Sequence, residues 1–327
     1  MLNLGRSCSG LLAKQVGRGV AKLTGRRWRR ITLVGTAIVA ALLSAFGYGV
    51  VSHRYELFPF HHLGWLRRGG IFDRLAPLGG YNVSIDRRAV PCNRIGTPTL
   101  VLVTLGQSNA ANSGEVRFGH VPGVYNFNLF DGRCFEARDP LLGAGGDGGS
   151  VWMPLARQIV ESGLVASVVI APIGLGGTRV EEWAPGGALS SRFDRLNGVA
   201  SRSGLHVHAI LWHQGESNRG TDPEAYRATF LAMVRHIRGK GLTAPLYVAR
   251  ATRCGNLDSR GINQVQAELG LEYPELGLRP GPDTDKLIGP VWRDGCHFTS
   301  AGLARHAGLW FEILAGDIPE LLGQSRQ

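Results

Sequence analysis

From Thr97 onward the chain alternates between short runs of aliphatic and β-branched residues and longer stretches of helical character. That alternation is the pattern of a parallel sheet covered by helices, an α/β fold. Strands are predicted over Thr99–Thr104, Ser167–Ala171, His208–Trp212 and Leu246–Ala249, and helices over Met153–Ser162, Pro223–Arg238, Ile262–Leu269 and Ser300–Leu314. Asp222 and Pro223 form a helix start, an N-cap followed by a first-turn proline, and Gly239 and Gly241 stop that helix. In an open parallel sheet the ligand crevice lies beyond the carboxyl ends of the strands. Three polar, glycine-bearing turns are expected there: Gly106-Gln107-Ser108-Asn109, Gly174 to Thr178, and His213 to Ser217. The stretch Gly143 to Gly149 (GAGGDGG) reads as a flexible loop; it lacks the Lys-Ser/Thr of a phosphate loop, so nucleotide binding is not expected.

Upstream the pattern differs. Ile31 to Val51 is an uncharged run of 21 residues, which at 1.5 Å per residue spans roughly the 30 Å bilayer core. It reads as one transmembrane helix. The eight cations and no acids of residues 1–30 place that side in the cytoplasm, so everything after Val51 is expected to be extracytoplasmic, which means periplasmic if the cell is Gram-negative. The apolar run is longer than a cleaved signal needs and no A-x-A site follows it. The expected organisation is a basic tail (1–30), the helix (31–51), a juxtamembrane linker (52–96) and one α/β domain (97–327).

Charge and cysteines fit this order. Of the net +11, the tail carries +8, which leaves only +3 for the rest and removes the case for a nucleic-acid partner. Cys92, Cys134, Cys254 and Cys296 form an even set in a disulfide-permissive compartment, apart from Cys8. No cysteine or histidine spacing suggests zinc, and His206, His208 and His213 read as sheet and cleft residues.

Ester hydrolysis needs a nucleophile, a base, a group that orients the base, and donors for the oxyanion. Ser108 sits where a strand ends. Asp294-Gly295-Cys296-His297 places a carboxylate three residues before an imidazole on one short loop. The G-x-S-x-G elbow of the α/β-hydrolases is absent. Together G-Q-S-N (106–109), G-G-T-x-x-E-x-W (176–183), W-H-Q-G-E-S (212–217) and D-x-x-H-F (294–298) resemble the SGNH hydrolases, in the sialate O-acetylesterase-like branch that includes carbohydrate esterase family 6. The resemblance runs from Thr97 to Leu314. It implies a three-layer α/β/α sandwich, SGNH or flavodoxin-like, with Ser108 as nucleophile, His297 as base and Asp294 as its orienter. It also implies an oxyanion hole made by the N–H of Ser108, an N–H of Gly176 or Gly177, and the side-chain amide of Gln214. Most SGNH enzymes have Asn where this chain has Gln214, and either amide can donate.

Glu216 and Asn109 read as support for that site. Arg179, Trp183 and Trp292 are candidates for sugar contacts, with core packing or a loop ion pair as the alternative for each. The favoured disulfides are Cys92 with Cys134 and Cys254 with Cys296, because Cys254 follows the fourth strand and Cys296 lies in the catalytic loop at the same sheet edge. The expected activity is hydrolysis of carbohydrate O-acetyl esters through an acetyl-Ser108 intermediate, with no metal or organic cofactor. The alternatives are a polysaccharide O-acetyltransferase using the same site and an inactive carbohydrate-binding module.

Overall fold

The computed structural model describes residues 33–48 and 87–323. Residues 33–48 form a helix whose apolar side chains are exposed. Among the described residues, no helix is long and apolar enough to cross a membrane, so the 21-residue span is not borne out. The basic tail, Cys8, residues 31, 32 and 49–51 of the expected span, and residues 52–86 of the expected linker lie outside the described residues.

The second unit is built on an eight-stranded sheet in the order β1-β4-β3-β5-β2-β6-β7-β8. The strands are β1 (Ala89–Val90), β2 (Thr99–Gly106), β3 (Val124–Asn128), β4 (Arg133–Glu136), β5 (Ser167–Pro172), β6 (Ala209–His213), β7 (Leu246–Arg250) and β8 (Leu278–Asp283). From β3 to β8 all neighbours are parallel, but β4 and β1 run antiparallel at one edge. The sheet is therefore mixed and not purely parallel. β1 comes from the segment assigned to the linker, and the Cys92–Cys134 disulfide ties the turn that follows it to β4.

β2 shows why the centre forms. Its run TLVLVTLG has parallel partners on both sides and buries every residue after Thr99, so each face must meet an apolar layer. Val101, Val103 and Leu105 face one core, while Leu100 and Leu102 face the other. The second core is closed by α1 (Trp152–Glu161) and α6 (Ser300–Leu321), whose Trp152 and Trp310 rings lie 5.8 Å apart. The first is closed by α3 (Ser191–Arg202), α4 (Pro223–Gly239) and α5 (Arg260–Glu272), through Phe193, Tyr226, Phe230 and Val265 among others. A short helix, α2 (Val180–Trp183), precedes them. The result is the expected three-layer α/β/α arrangement. Asp222 caps α4 as predicted, accepting from Ala225 N at 2.9 Å.

The glycine-rich stretch departs from expectation. Gly143, Gly145 and Gly149 are buried, and the backbone of this stretch bonds to Asn112 and Gly174. A Cβ on Gly149 would lie 1.6 Å from the carbonyl oxygen of Val116, so the glycines serve close backbone packing and not flexibility.

Candidate active site

β2 is the topological switch point. After β2 the chain builds β3, β4 and β5 on one side and then crosses to β6 on the other, which opens a crevice beyond the carboxyl end of β2. Gly106 ends the strand at φ +130°, and a Cβ there would meet the His213 carbonyl oxygen at 2.0 Å. Only glycine lets the ends of β2 and β6 close, and Gln107 N then donates to that same carbonyl at 3.1 Å. Ser108 follows as the first residue of a 3-10 turn, 8% exposed.

The second block backs onto this serine. A Cβ at Gly176 would sit 3.6 Å from Ser108 Cβ, in ordinary contact. Among the described residues, the backbone N–H groups of Ser108, Gly176 and Gly177 donate to no backbone carbonyl. These donors are free to meet developing negative charge.

Asp294 and His297 lie on a two-stranded hairpin, β9 (Arg293–Asp294) and β10 (His297–Phe298), as directly paired residues. Gly295, at φ +61°, supplies the left-handed turn conformation. Three ties bring the hairpin to the sheet edge. Asn109 Nδ2 donates to Cys296 O at 3.0 Å, the Cys254–Cys296 disulfide joins it to the loop after β7, and Gly255 N donates to Gly295 O at 3.0 Å. His297 keeps an exposed edge, yet its pKa is held below the ordinary histidine value by desolvation and then by the Arg293 charge, with Asp294 opposing.

The third block is arranged differently from expectation. Gln214 is fully buried, and its Nε2 donates to Asn218 Oδ1 at 2.6 Å and Thr178 O at 3.1 Å. Tyr226 donates to its Oε1 at 3.3 Å. In this arrangement the amide N–H groups are engaged inside the protein, and Gln214 joins the third block to the second. Glu216 accepts from Asn109 Nδ2 at 2.8 Å. Burial pushes its carboxyl up to about 7, against the hydrogen bond from Asn109. His213 is pushed down to about 3 by the same desolvation, with its Nε2 3.1 Å from Thr284 Oγ1.

The sugar-contact candidates divide. Trp183 is fully buried, donates to Thr178 Oγ1 at 3.1 Å and packs against Phe193 and Trp212; it is core, because its ring faces the helix layer. Arg179 stays exposed, with Nη2 2.9 Å from Thr221 Oγ1 and 3.3 Å from Glu181. Trp292 packs partly buried against the second core.

Sequence reasoning missed Asn218, Tyr226 and Arg293. Asn218 directly follows the W-H-Q-G-E-S run and receives Val180 N at 2.9 Å besides Gln214, so its position was a usable signal. Arg293 stands beside Asp294, but nothing local tells that its guanidinium turns inward.

Comparison with known proteins agrees with the geometry. A probable carbohydrate esterase of Arabidopsis thaliana is 27% identical over 141 residues, 41% of this chain and 50% of that protein. This chain thus spans about half the length of that curated relative. An Arabidopsis thaliana protein of known crystal structure superimposes with a TM-score of 0.54 at 20% identity, covering 68% of this chain and 99% of the other, which supports the fold. A carbohydrate acetylesterase from Xanthomonas citri aligns with a TM-score of 0.42 at 18% identity, over 65% of this chain and 55% of that one. The family model of carbohydrate esterase, sialic acid-specific acetylesterase, matches residues 98–276, a stretch that holds Ser108, Gly176, Gly177 and Gln214 and ends before the hairpin. By that match over more than half its length, the chain belongs to the sialic acid-specific acetylesterase family of carbohydrate esterases.

Proposed function

We propose that this chain is a serine esterase that removes O-acetyl groups from a carbohydrate through an acetyl-Ser108 intermediate. The observation that carries the reading is the tie from Asn109 to Cys296, which brings a hairpin with paired Asp294 and His297 to the turn that presents Ser108. His297 takes the Ser108 hydroxyl proton as Oγ attacks the acetyl carbonyl. The oxyanion is met by the N–H of Ser108 and that of Gly176 or Gly177, with Gln214 holding the walls together. His297 then protonates the departing sugar oxygen, and water activated by the same imidazole releases acetate. Asp294 keeps the ring oriented for both transfers.

An extracytoplasmic location belongs to the same proposal. It is supported by the two disulfides, which persist in oxidising compartments, and by the cation-rich start followed by an apolar run.

The test is acetate release from an aryl acetate and from acetylated glycans, together with labelling by a serine-directed phosphonate. Release that depends on Ser108, with the label on Ser108, is the expected result. Undiminished turnover in Ser108→Ala would remove the mechanism.

A further inference from the structure

Arg293 is 6% exposed and, among the described residues, makes no ion pair with a carboxylate. Its donors go instead to four carbonyl oxygens: Nε to Leu287 at 3.1 Å, Nη2 to Thr284 at 3.0 Å, and Nη1 to Cys296 at 3.0 Å and Arg253 at 3.3 Å. Those carbonyls belong to three segments, the loop after β7, the turn after β8 and the hairpin itself. The guanidinium carbon also sits 4.0 Å from the Phe298 ring centroid.

A buried cation is costly, and a carboxylate partner would be the ordinary remedy. Carbonyl dipoles satisfy the N–H groups yet leave the net charge in place. That charge is felt by every titratable group packed around it. Besides Asp294 on the hairpin, these are Glu216 and His213 from the block after β6, Arg253 after β7, Asp285 after β8, and His306 in α6.

We propose that Arg293 is a positioning residue for the reaction assigned to Ser108: it fixes the Cys296 carbonyl, and with it the adjacent His297, and maintains beside that base a positive charge that is held by carbonyls and not by a direct ion pair. The inference rests on the esterase reading. Cys296 O receives two donors, Asn109 from the nucleophile turn and Arg293 from the hairpin, so its place is set from both sides. The charge disfavours imidazolium, which keeps His297 uncharged and ready to accept the serine proton. It also makes the imidazolium, once formed, a better acid toward the leaving sugar oxygen. A rivet with no electrostatic role would hold the loops equally well and leave the His297 titration where it is.

The test compares the full chain with Arg293→Gln and Arg293→Lys. Proton NMR follows the His297 ring, assigned by its loss in His297→Gln, while kcat and KM for an aryl acetate are measured across pH and melting is recorded alongside. In the parent, His297 is expected to titrate below the unperturbed value of about 6.5. Arg293→Gln should raise that midpoint by roughly half a unit or more and move the acidic limb of kcat/KM with it. Its kcat should fall about 10- to 100-fold with KM within about twofold. Arg293→Lys keeps the charge but cannot span four carbonyls, so it should lose kcat with the His297 midpoint unchanged. The titration does not depend on turnover: a parental midpoint at or above about 6.5, or an unmoved midpoint in Arg293→Gln, overturns the proposal even if hydrolysis is found. A shifted midpoint in a chain that releases no acetate overturns the esterase reading instead.

Discussion

Asn109 Nδ2 donates across 3.0 Å to the carbonyl oxygen of Cys296. Asn109 adjoins Ser108 and Cys296 adjoins His297, so one hydrogen bond spans 187 residues of chain and joins two catalytic candidates. The same amide nitrogen serves buried Glu216. Asn109→Ala is expected to lower kcat roughly 100-fold through misplacement of the hairpin. It should also destabilise the fold by about 1 to 3 kcal/mol, since a buried carboxyl loses its donor. Kinetics paired with denaturant unfolding separate the two effects, and parental kcat in a folded variant would show that the bond positions nothing.

Gln214 calls for the opposite profile from a pure oxyanion donor. With its amide committed to Asn218, Thr178 and Tyr226, Gln214→Ala should strand buried polar groups and cost about 1 to 3 kcal/mol of stability. Activity should fall together with the melting temperature. A variant with an unchanged melting temperature and a selective loss of kcat would return Gln214 to the oxyanion hole.

The pH dependence of turnover follows from His297. In the proposed mechanism its neutral form is the base, and its folded pKa lies below the ordinary value, so activity should persist somewhat under pH 6.5 and decline as pH falls through the lowered pKa. Ser108→Ala should abolish acetate release at every pH. An acidic limb centred above about 6.5 would contradict the environment described for His297.

Glu216 predicts a stability difference with a defined sign. Its folded pKa is raised to about 7, so between the unfolded value near 4.5 and 7 the native state holds a proton that the unfolded chain has lost. The parent should therefore lose stability relative to Glu216→Gln as pH rises through that window, by on the order of a few kcal/mol, and the gap should level off above it. Glutamine can still accept from Asn109. Urea unfolding of both proteins from pH 4.5 to 8 measures the gap, and a pH-independent difference would mean that Glu216 titrates normally.

The two disulfides should act differently. Cys254–Cys296 holds the hairpin that carries Asp294 and His297, whereas Cys92–Cys134 holds the far edge of the sheet. Replacing Cys254 and Cys296 by serine should reduce kcat by about tenfold or more while helix content stays near parental. The matching replacement of Cys92 and Cys134 should change stability more than kcat. Equal effects on kcat would remove the distinction.

What the sequence determined was the central architecture and the chemistry-bearing turns. β2, β5, β6 and β7 are short apolar runs bounded by glycines, and α4 carries its own cap, so local pattern suffices for them. Ser108, Asp294 and His297 stood out as candidates because each sits in a short motif. β8 was not legible: Pro280, Gly281 and Pro282 resemble a turn, and only its place at the sheet edge makes prolines tolerable there. β3 was hidden by Asn126 and Asn128, buried polar residues; the Asn126 side chain bonds the backbone at Leu142 and Ile170. Tertiary structure alone decided where the polar side chains point. Gln214 and Trp183 turn into the protein, and Arg293 turns inward to collect carbonyls from its own hairpin, the turn after β8 and the loop after β7. Pattern along a chain records which residues are apolar and where turns fall; a hydrogen bond across 187 residues depends on which loops the fold brings to one edge of the sheet.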